Sequence, residues 1–116
     1  MKESDVILAP LSQADEELKY RPAIVLRVMP MPYQDLLVCG VSTRLRHYVQ
    51  GFDDIISPID TDFISSGLRS ESLIRLSFLG VIPRRLVRGT LGNISDERHK
   101  RLLRKLIDYL TNTNLV

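Results

Sequence analysis

The sequence predicts a mainly β fold, α+β in class, in which a small, strongly curved antiparallel sheet or barrel is covered by one C-terminal amphipathic helix. Three observations carry this reading. Short apolar runs rich in Val and Ile, separated by polar or turn-forming stretches, fill most of the chain before residue 95. The apolar period then changes to that of a helix in "SDERHKRLLRKLIDYL". Finally, 116 residues provide room for one core, so residues 1–116 read as a single domain without an internal linker. A small sheet of short strands needs closure or a cover to protect its edges, and the final helix is the expected cover.

The elements follow in order. "DVILAPL" is the first strand, and "SQADEELK" the first loop. In "KYRPAIVL" a proline precedes an unbroken apolar run. Proline removes a ladder hydrogen bond inside a central strand but is tolerated at a first residue, so Pro22 is expected to open a buried strand with Arg21 fixed at its mouth. "LLVCGVS" and "DDIISPI" are further strands. "DTDFISSGL" fits one helical turn capped by Asp60 or Thr61 and stopped by Gly67. "SLIRLSFLGVI" alternates, placing Ile74, Leu76 and Phe78 opposite Arg75 and Ser77, and "RLVRGTL" reads as the last strand. The helix spans about 95–111, with Leu102, Leu103, Leu106, Ile107 and Leu110 on its apolar side. Ser95 caps its first amides, and Asp96 and Glu97 suit its dipole. Arg98, Arg101, Arg104 and Lys105 are expected to form its solvated face, and "TNTNLV" to fray.

Composition excludes several classes. With 44% hydrophobic and 26% charged residues the chain is ordinary for a soluble globular protein. Its single cysteine, Cys39, cannot form an internal disulfide, and the N-terminus lacks a signal-peptide pattern, so a reducing cytoplasm is expected. No apolar run approaches the roughly 18 residues of a membrane span. Cys39 has no His or Cys at ligand spacing and reads as a core residue, neither zinc ligand nor nucleophile. The net charge of +2 hides a split: residues 1–67 carry 6 basic and 10 acidic side chains (−4), and 68–116 carry 10 and 4 (+6). Such asymmetry suits a surface that meets phosphate or an acidic partner. His99, on the helix, is given no role.

Taken in order, "SDVILAPL", "EELKYRPAIVL", "VCGVST", "GLRSESLIRL" and "RLVRGTLGNIS" resemble the MazF/PemK family of toxin endoribonucleases from type II toxin-antitoxin systems, over nearly the whole chain. The resemblance implies an SH3-like β-barrel with a C-terminal helix, usually a homodimer. It implies a metal-independent, cofactor-free mRNA interferase that cleaves single-stranded RNA to inhibit growth and is neutralised by a cognate antitoxin. The family's catalytic arginine lies in an Arg-Pro-apolar motif that falls on Arg21–Pro22–Ala23–Ile24–Val25–Leu26. An arginine anchored by a proline and a buried strand loses little freedom on meeting a phosphate, and its planar fork matches phosphate oxygens; the structural alternative is a salt bridge to Glu16 or Glu17. The family's second catalytic residue is a threonine. The closest register puts Ser42 there, with Thr43 next, and only one of two neighbouring strand residues faces a site directly. Glu16 matches an acidic position of some members and is a candidate for moving a proton or holding Arg21. Ser4 stands where the family typically has glycine, which affects a turn.

RNA carries its own nucleophile, the 2′-hydroxyl, so a protein need only align it, manage protons and stabilise charge on phosphorus. The family chemistry leaves a 2′,3′-cyclic phosphate and a 5′-hydroxyl. Arg44, Arg46, His47, Tyr48 and Phe52 interleave basic and aromatic side chains in the loop "TRLRHYVQGF", and Lys19 and Tyr20 flank Arg21. Such residues suit single-stranded RNA, with cations along phosphate and rings on bases. The structural alternative is that Tyr48 and Phe52 anchor the loop to the barrel. Two other functions remain open from sequence: a non-catalytic barrel that binds RNA or protein, and a toxin of the same superfamily that poisons DNA gyrase.

Overall fold

The structure, a computed structural model, describes residues 1–11 and 18–112. Six antiparallel strands form one curled half-barrel: β1 (Asp5–Leu11), β2 (Lys19–Val28), β3 (Leu36–Ser42), β4 (Asp54–Ile56), β5 (Ser72–Ile82) and β6 (Gly89–Asn93), in the spatial order β4-β5-β3-β2-β1-β6. A short helix α1 (Phe63–Ser66) precedes β5, and the long helix α2 (Asp96–Thr111) closes the described chain. The mainly β reading with a C-terminal helix is borne out. Among the described residues no helix is long and apolar enough to cross a membrane.

The unbroken apolar run of β2 has a simple cause: both faces of the sheet are buried. Ile24 and Leu26 join Val6, Cys39, Ile74 and Leu76 beneath Leu102 and Leu106 of α2. Ala23 and Val25 join Ile7, Ala9, Leu36, Val38 and Ile82 inside the curl. Alternation along the strand thus feeds two cores, and the run reads as continuous. Cys39 lies wholly buried in the first core, and burial, with a smaller contribution from Asp53, pushes its thiol pKa up to about 12. It is an inert core residue, as expected.

Pro22 does not open its strand. β2 begins at Lys19, and Pro22 pairs with Leu8. The Leu8 carbonyl accepts from the Arg88 amide at 3.0 Å, so Leu8 turns its polar groups towards β6 and the nitrogen of Pro22 faces away from β1. Pairing of β2 with β3 starts only at Ala23, so no strand stands beside Pro22 to miss its hydrogen bond. Two other expectations change. "RLVRGTL" splits into a 3₁₀ turn, Arg84–Leu86, and the start of β6. Phe78 leaves the face of Ile74 and Leu76 for the opposite core, because the register with β3 jumps from Gly40↔Arg75 to Cys39↔Leu79. Three residues, Leu76 to Phe78, bulge out of β5, and the buried Asp53 accepts the Leu76 amide at 3.0 Å.

The helix departs most from expectation. Arg98 is not on a solvated face; it is 5% exposed and uses all five N–H donors. Its Nε and Nη2 grip Asp62 at 2.8 and 3.1 Å, Nη1 reaches Asp54 at 2.7 Å and the Ile55 carbonyl at 3.1 Å, and Nη2 also reaches Asp60 at 3.1 Å. Arg101 and Lys105 add contacts to Asp54 at 2.9 and 3.4 Å. On the opposite flank His99 Nε2 donates to the Leu26 carbonyl at 2.8 Å. Ser95 caps α2 by accepting from the Arg98 amide, as expected. Neither Asp60 nor Thr61 caps α1. Asp62 holds that position without a side-chain cap bond, its carboxylate turned to Arg98 and the Ser95 amide, while Gly67 ends the turn at φ 74°.

Burial alone would raise the pKa values of Asp54 and Asp62. The hydrogen bond and charge of Arg101, with Lys105 and Arg98, outweigh it at Asp54, and Arg98 with the Ser95 amide outweighs it at Asp62. Both carboxylates are held below their ordinary range. Their stabilisation is therefore complete above the unfolded-state carboxylate pKa, about 4, and is lost as pH falls below that value. Arg98→Met should cost about 3–5 kcal/mol at pH 7 by stranding buried carboxylates. In that variant Asp62 loses its chief counter-charge and burial should raise it, while Asp54 keeps Arg101 and Lys105, so acidification should restore part of the loss, whereas it destabilises the wild type. Urea unfolding of both proteins between pH 3 and 7 reads this crossing of trends. A second variant checks the turn before β1: Ser4 sits at φ 80°, 7% exposed, with its amide on the Val25 carbonyl and its carbonyl accepting from Ile94. Ser4→Gly should raise stability by about 1 kcal/mol, seen as a higher Tm.

Candidate active site

Strand register brings the expected Arg21 and Ser42 together with Arg75. Ala23 faces the inner core, so Arg21, two residues earlier in β2, shares its side. Ala23 pairs with Gly40, which places Gly40 and Ser42 on that side of β3, and Gly40 pairs with Arg75 of β5. Arg21, Gly40, Ser42, Arg75 and Phe78 accordingly surround one narrow recess at the mouth of the curl. Glycine at 40 leaves room for the Phe78 ring, which a Cβ there would meet at 3.2 Å. The Arg75 guanidinium lies 5.8 Å from the Phe78 ring centre, and its buried Nε has no hydrogen-bond partner among the described residues.

This recess opens into a groove of about 560 Å³ lined by Arg21, Pro22, Ser42, Thr43, Arg44 and Arg69, with Leu68 and Leu91 among its apolar walls. Among the described residues no carboxylate lines it. Three arginines on the groove and Arg75 below it make a strongly cationic concavity of the kind that receives phosphate.

Of the two candidate hydroxyls, Ser42 lines both recess and groove, whereas Thr43 lines only the groove and is exposed. Ser42 Oγ accepts the Arg44 amide at 3.0 Å. That bond fixes the rotamer that a threonine methyl would otherwise restrict, and it leaves the hydroxyl proton available for donation.

The far wall is built by two close approaches. Ser65 Oγ donates to the Asn93 carbonyl at 3.1 Å, and α1 rests directly on the backbone of β6. A Cβ at Gly67 would collide with the Leu91 carbonyl, and one at Gly92 with the Ser65 carbonyl. The segment carrying Arg69 is held on both sides, by the Leu68 amide on Ser66 Oγ at 3.2 Å and by Ser72 Oγ on the Ser70 carbonyl at 2.8 Å.

The remaining candidates spread outwards. Lys19 and Tyr20 are exposed beside Arg21, and Arg88 lies over the Tyr20 ring at 4.0 Å. The loop after β3 turns through a 3₁₀ segment, Leu45–His47, that lies against β5. Thr43 and Arg44, at the start of that loop, reach the groove; Arg46, His47 and Tyr48 are not among its described lining residues. Phe52 packs on Tyr109 of α2 with ring centres 5.0 Å apart, so for this ring the anchoring alternative holds. Glu16 lies outside the described residues. Arg69 and Arg75 were assigned no role from sequence, although both stand in "GLRSESLIRL".

A family model described as PemK-like, MazF-like toxin of type II toxin-antitoxin system matches residues 2–110 of the 116. No curated protein matches the chain.

Because the groove wall depends on backbone-to-backbone contact at Gly92, Gly92→Ala should cost about 1–3 kcal/mol through forced displacement of α1. Thermal unfolding reads the cost, and an unchanged Tm would show that the wall is not set by this contact.

Proposed function

The chain belongs to the PemK-like, MazF-like toxin family of type II toxin-antitoxin systems, and from that premise we propose that it is a metal-independent endoribonuclease cleaving single-stranded mRNA. The observation that carries the proposal is the convergence of Arg21, Ser42 and Arg75 at the floor of an arginine-lined groove. A phosphodiester seated there meets two guanidinium groups and a hydroxyl donor. The 2′ oxygen forms its bond to phosphorus as the bond to the 5′ oxygen breaks, giving a 2′,3′-cyclic phosphate and a 5′-hydroxyl. The 2′ proton passes to a base, the role we assign to Glu16, and the 5′ oxygen takes a proton from solvent. Arg21 keeps its proton throughout, because a guanidinium pKa above about 12 makes it a charge stabiliser and not an acid-base group. Ser42 donates to the non-bridging oxygen on which charge accumulates. Arg44 and Arg69 bind neighbouring phosphates, with Lys19, Arg46, His47 and Tyr48 as outer contacts along the strand.

The same cationic groove suits an acidic segment of the cognate antitoxin, which would occlude the RNA site by occupying it. We also propose a homodimer in the cytoplasm. In support, the distal half of β5 pairs on one edge only among the described residues, carries no charge over "SFLGVI", and exposes Leu79 and Val81. Such an edge is suited to a second copy related by a two-fold axis.

The deciding experiment is incubation of antitoxin-free protein with a long single-stranded RNA in EDTA, with mapping of the cut ends. Wild type should cut at a recurring short sequence and leave cyclic-phosphate ends. Arg21→Ala should abolish cutting without unfolding, Ser42→Ala should slow it by about 10²-fold or more, and Thr43→Ala should stay close to wild type. A folded wild-type protein that cuts none of a broad RNA set would overturn the enzyme in favour of a binding module.

A further inference from the structure

We propose that Tyr20 and Arg88 form a nucleobase platform, taking a purine of the nucleotide that adjoins the phosphate held at Arg21. The proposal rests on the ribonuclease reading and assigns a subsite within it. Tyr20 and Arg21 are consecutive, so their Cα atoms are about 3.8 Å apart. Being neighbours on a strand, they face opposite ways: Arg21 into the recess, Tyr20 onto the flank shared with Pro22, which lines the groove together with Leu91. Cations therefore lie on the groove floor, and an apolar, then aromatic, surface continues along one flank. That division matches the two halves of a nucleotide, phosphate and base.

Arg88 is what makes the ring a platform. Its guanidinium sits 4.0 Å from the ring centre, well within cation–π reach, and among the described residues it forms no ion pair that would account for its position. Its own amide is fixed to the Leu8 carbonyl at 3.0 Å, so the stack is tied to the β1 backbone between β2 and β6. With one face covered, Tyr20 still exposes 39% of its surface. A cation on the covered face draws ring electron density towards itself, so the open face favours electron-rich, strongly stacking purines over pyrimidines.

The test uses the intact protein and an RNA carrying the mapped cut sequence, with a 2′-deoxy nucleotide at the cut so that binding is read without cleavage. The fluorescent purine 2-aminopurine replaces the base on either side in turn. Wild type should quench one of the two positions. Tyr20→Leu should remove that quenching and weaken binding by about tenfold, Tyr20→Phe should keep both, and Arg88→Gln should reduce the preference for a purine over a pyrimidine at that position. Equal quenching and affinity in Tyr20→Leu, with RNA still cut by wild type, would overturn the platform alone. An RNA neither bound nor cut by folded wild type would overturn the ribonuclease reading itself.

Discussion

The grip of Arg98 on three aspartates is the constraint on which the rest of the structure depends. A six-stranded curl this small has a convex face that α2 must cover, and two buried leucines, Leu102 and Leu106, do not by themselves fix where the helix lies. Arg98 fixes it by spanning from α2 to Asp54 of β4 and to Asp60 and Asp62 ahead of α1. Desolvating four charges is costly, and a hydrophobic group in place of the whole cluster would serve stability as well. Directional bonds are what the hydrophobic group lacks. All five donors are matched, so the helix has one angle and one register, and α1, whose N-terminal neighbour is Asp62, is placed with it. Because α1 rests on β6 through Gly67 and Gly92, the groove wall inherits its position from an arginine on the other side of the sheet.

A second constraint aims the site. In regular pairing, β5 would continue alongside β3 with Phe78 under the helix. The three-residue bulge, stabilised by the Asp53 carboxylate on the Leu76 amide, instead turns Phe78 over Gly40 on the inner side. Asp53 is completely buried, and its other oxygen accepts the Val49 amide at 3.0 Å, joining the bulge to the loop after β3. The irregularity thus sets Arg75 and Phe78 beside Ser42 and shapes the loop that carries Arg44. Bulges beside active sites commonly re-aim side chains in this way.

These two constraints also mark what could be read from the sequence. Strands β1, β3 and β5 and the helix were legible to within a residue because apolar period, Ser95 and the turn residues are local signals. Arg21 and the Ser42–Thr43 pair were legible through their motif. Arg98 was not, because "ERHKRLLRK" places it among cations that do face solvent, and its burial depends on three aspartates 36 to 44 residues away. Arg75 was visible as the residue opposite Ile74 and Leu76, but its nearness to Ser42 follows from the Gly40 register, which no local pattern encodes. The role of Asp53 was hidden for the same reason: it serves an amide 23 residues on, in a bulge that strict alternation would not contain.

The charge split of the sequence acquires a physical meaning from this arrangement. The acidic excess of residues 1–67 is concentrated in part at Asp53, Asp54, Asp60 and Asp62, and the basic excess of 68–116 in part at Arg98, Arg101 and Lys105. These two groups meet under the helix, where Asp54 alone receives Arg98, Arg101 and Lys105. With these charges paired beneath the helix, the described walls of the groove carry Arg21, Arg44 and Arg69. Charges paired in the interior are little screened by salt, whereas those at an open groove are screened over a Debye length of about 8 Å at physiological ionic strength. The fold's electrostatics therefore separate by depth: the internal network holds through changes in salt that strongly modulate what the groove attracts. Exchange at the groove therefore need not disturb the interaction that holds the helix in place.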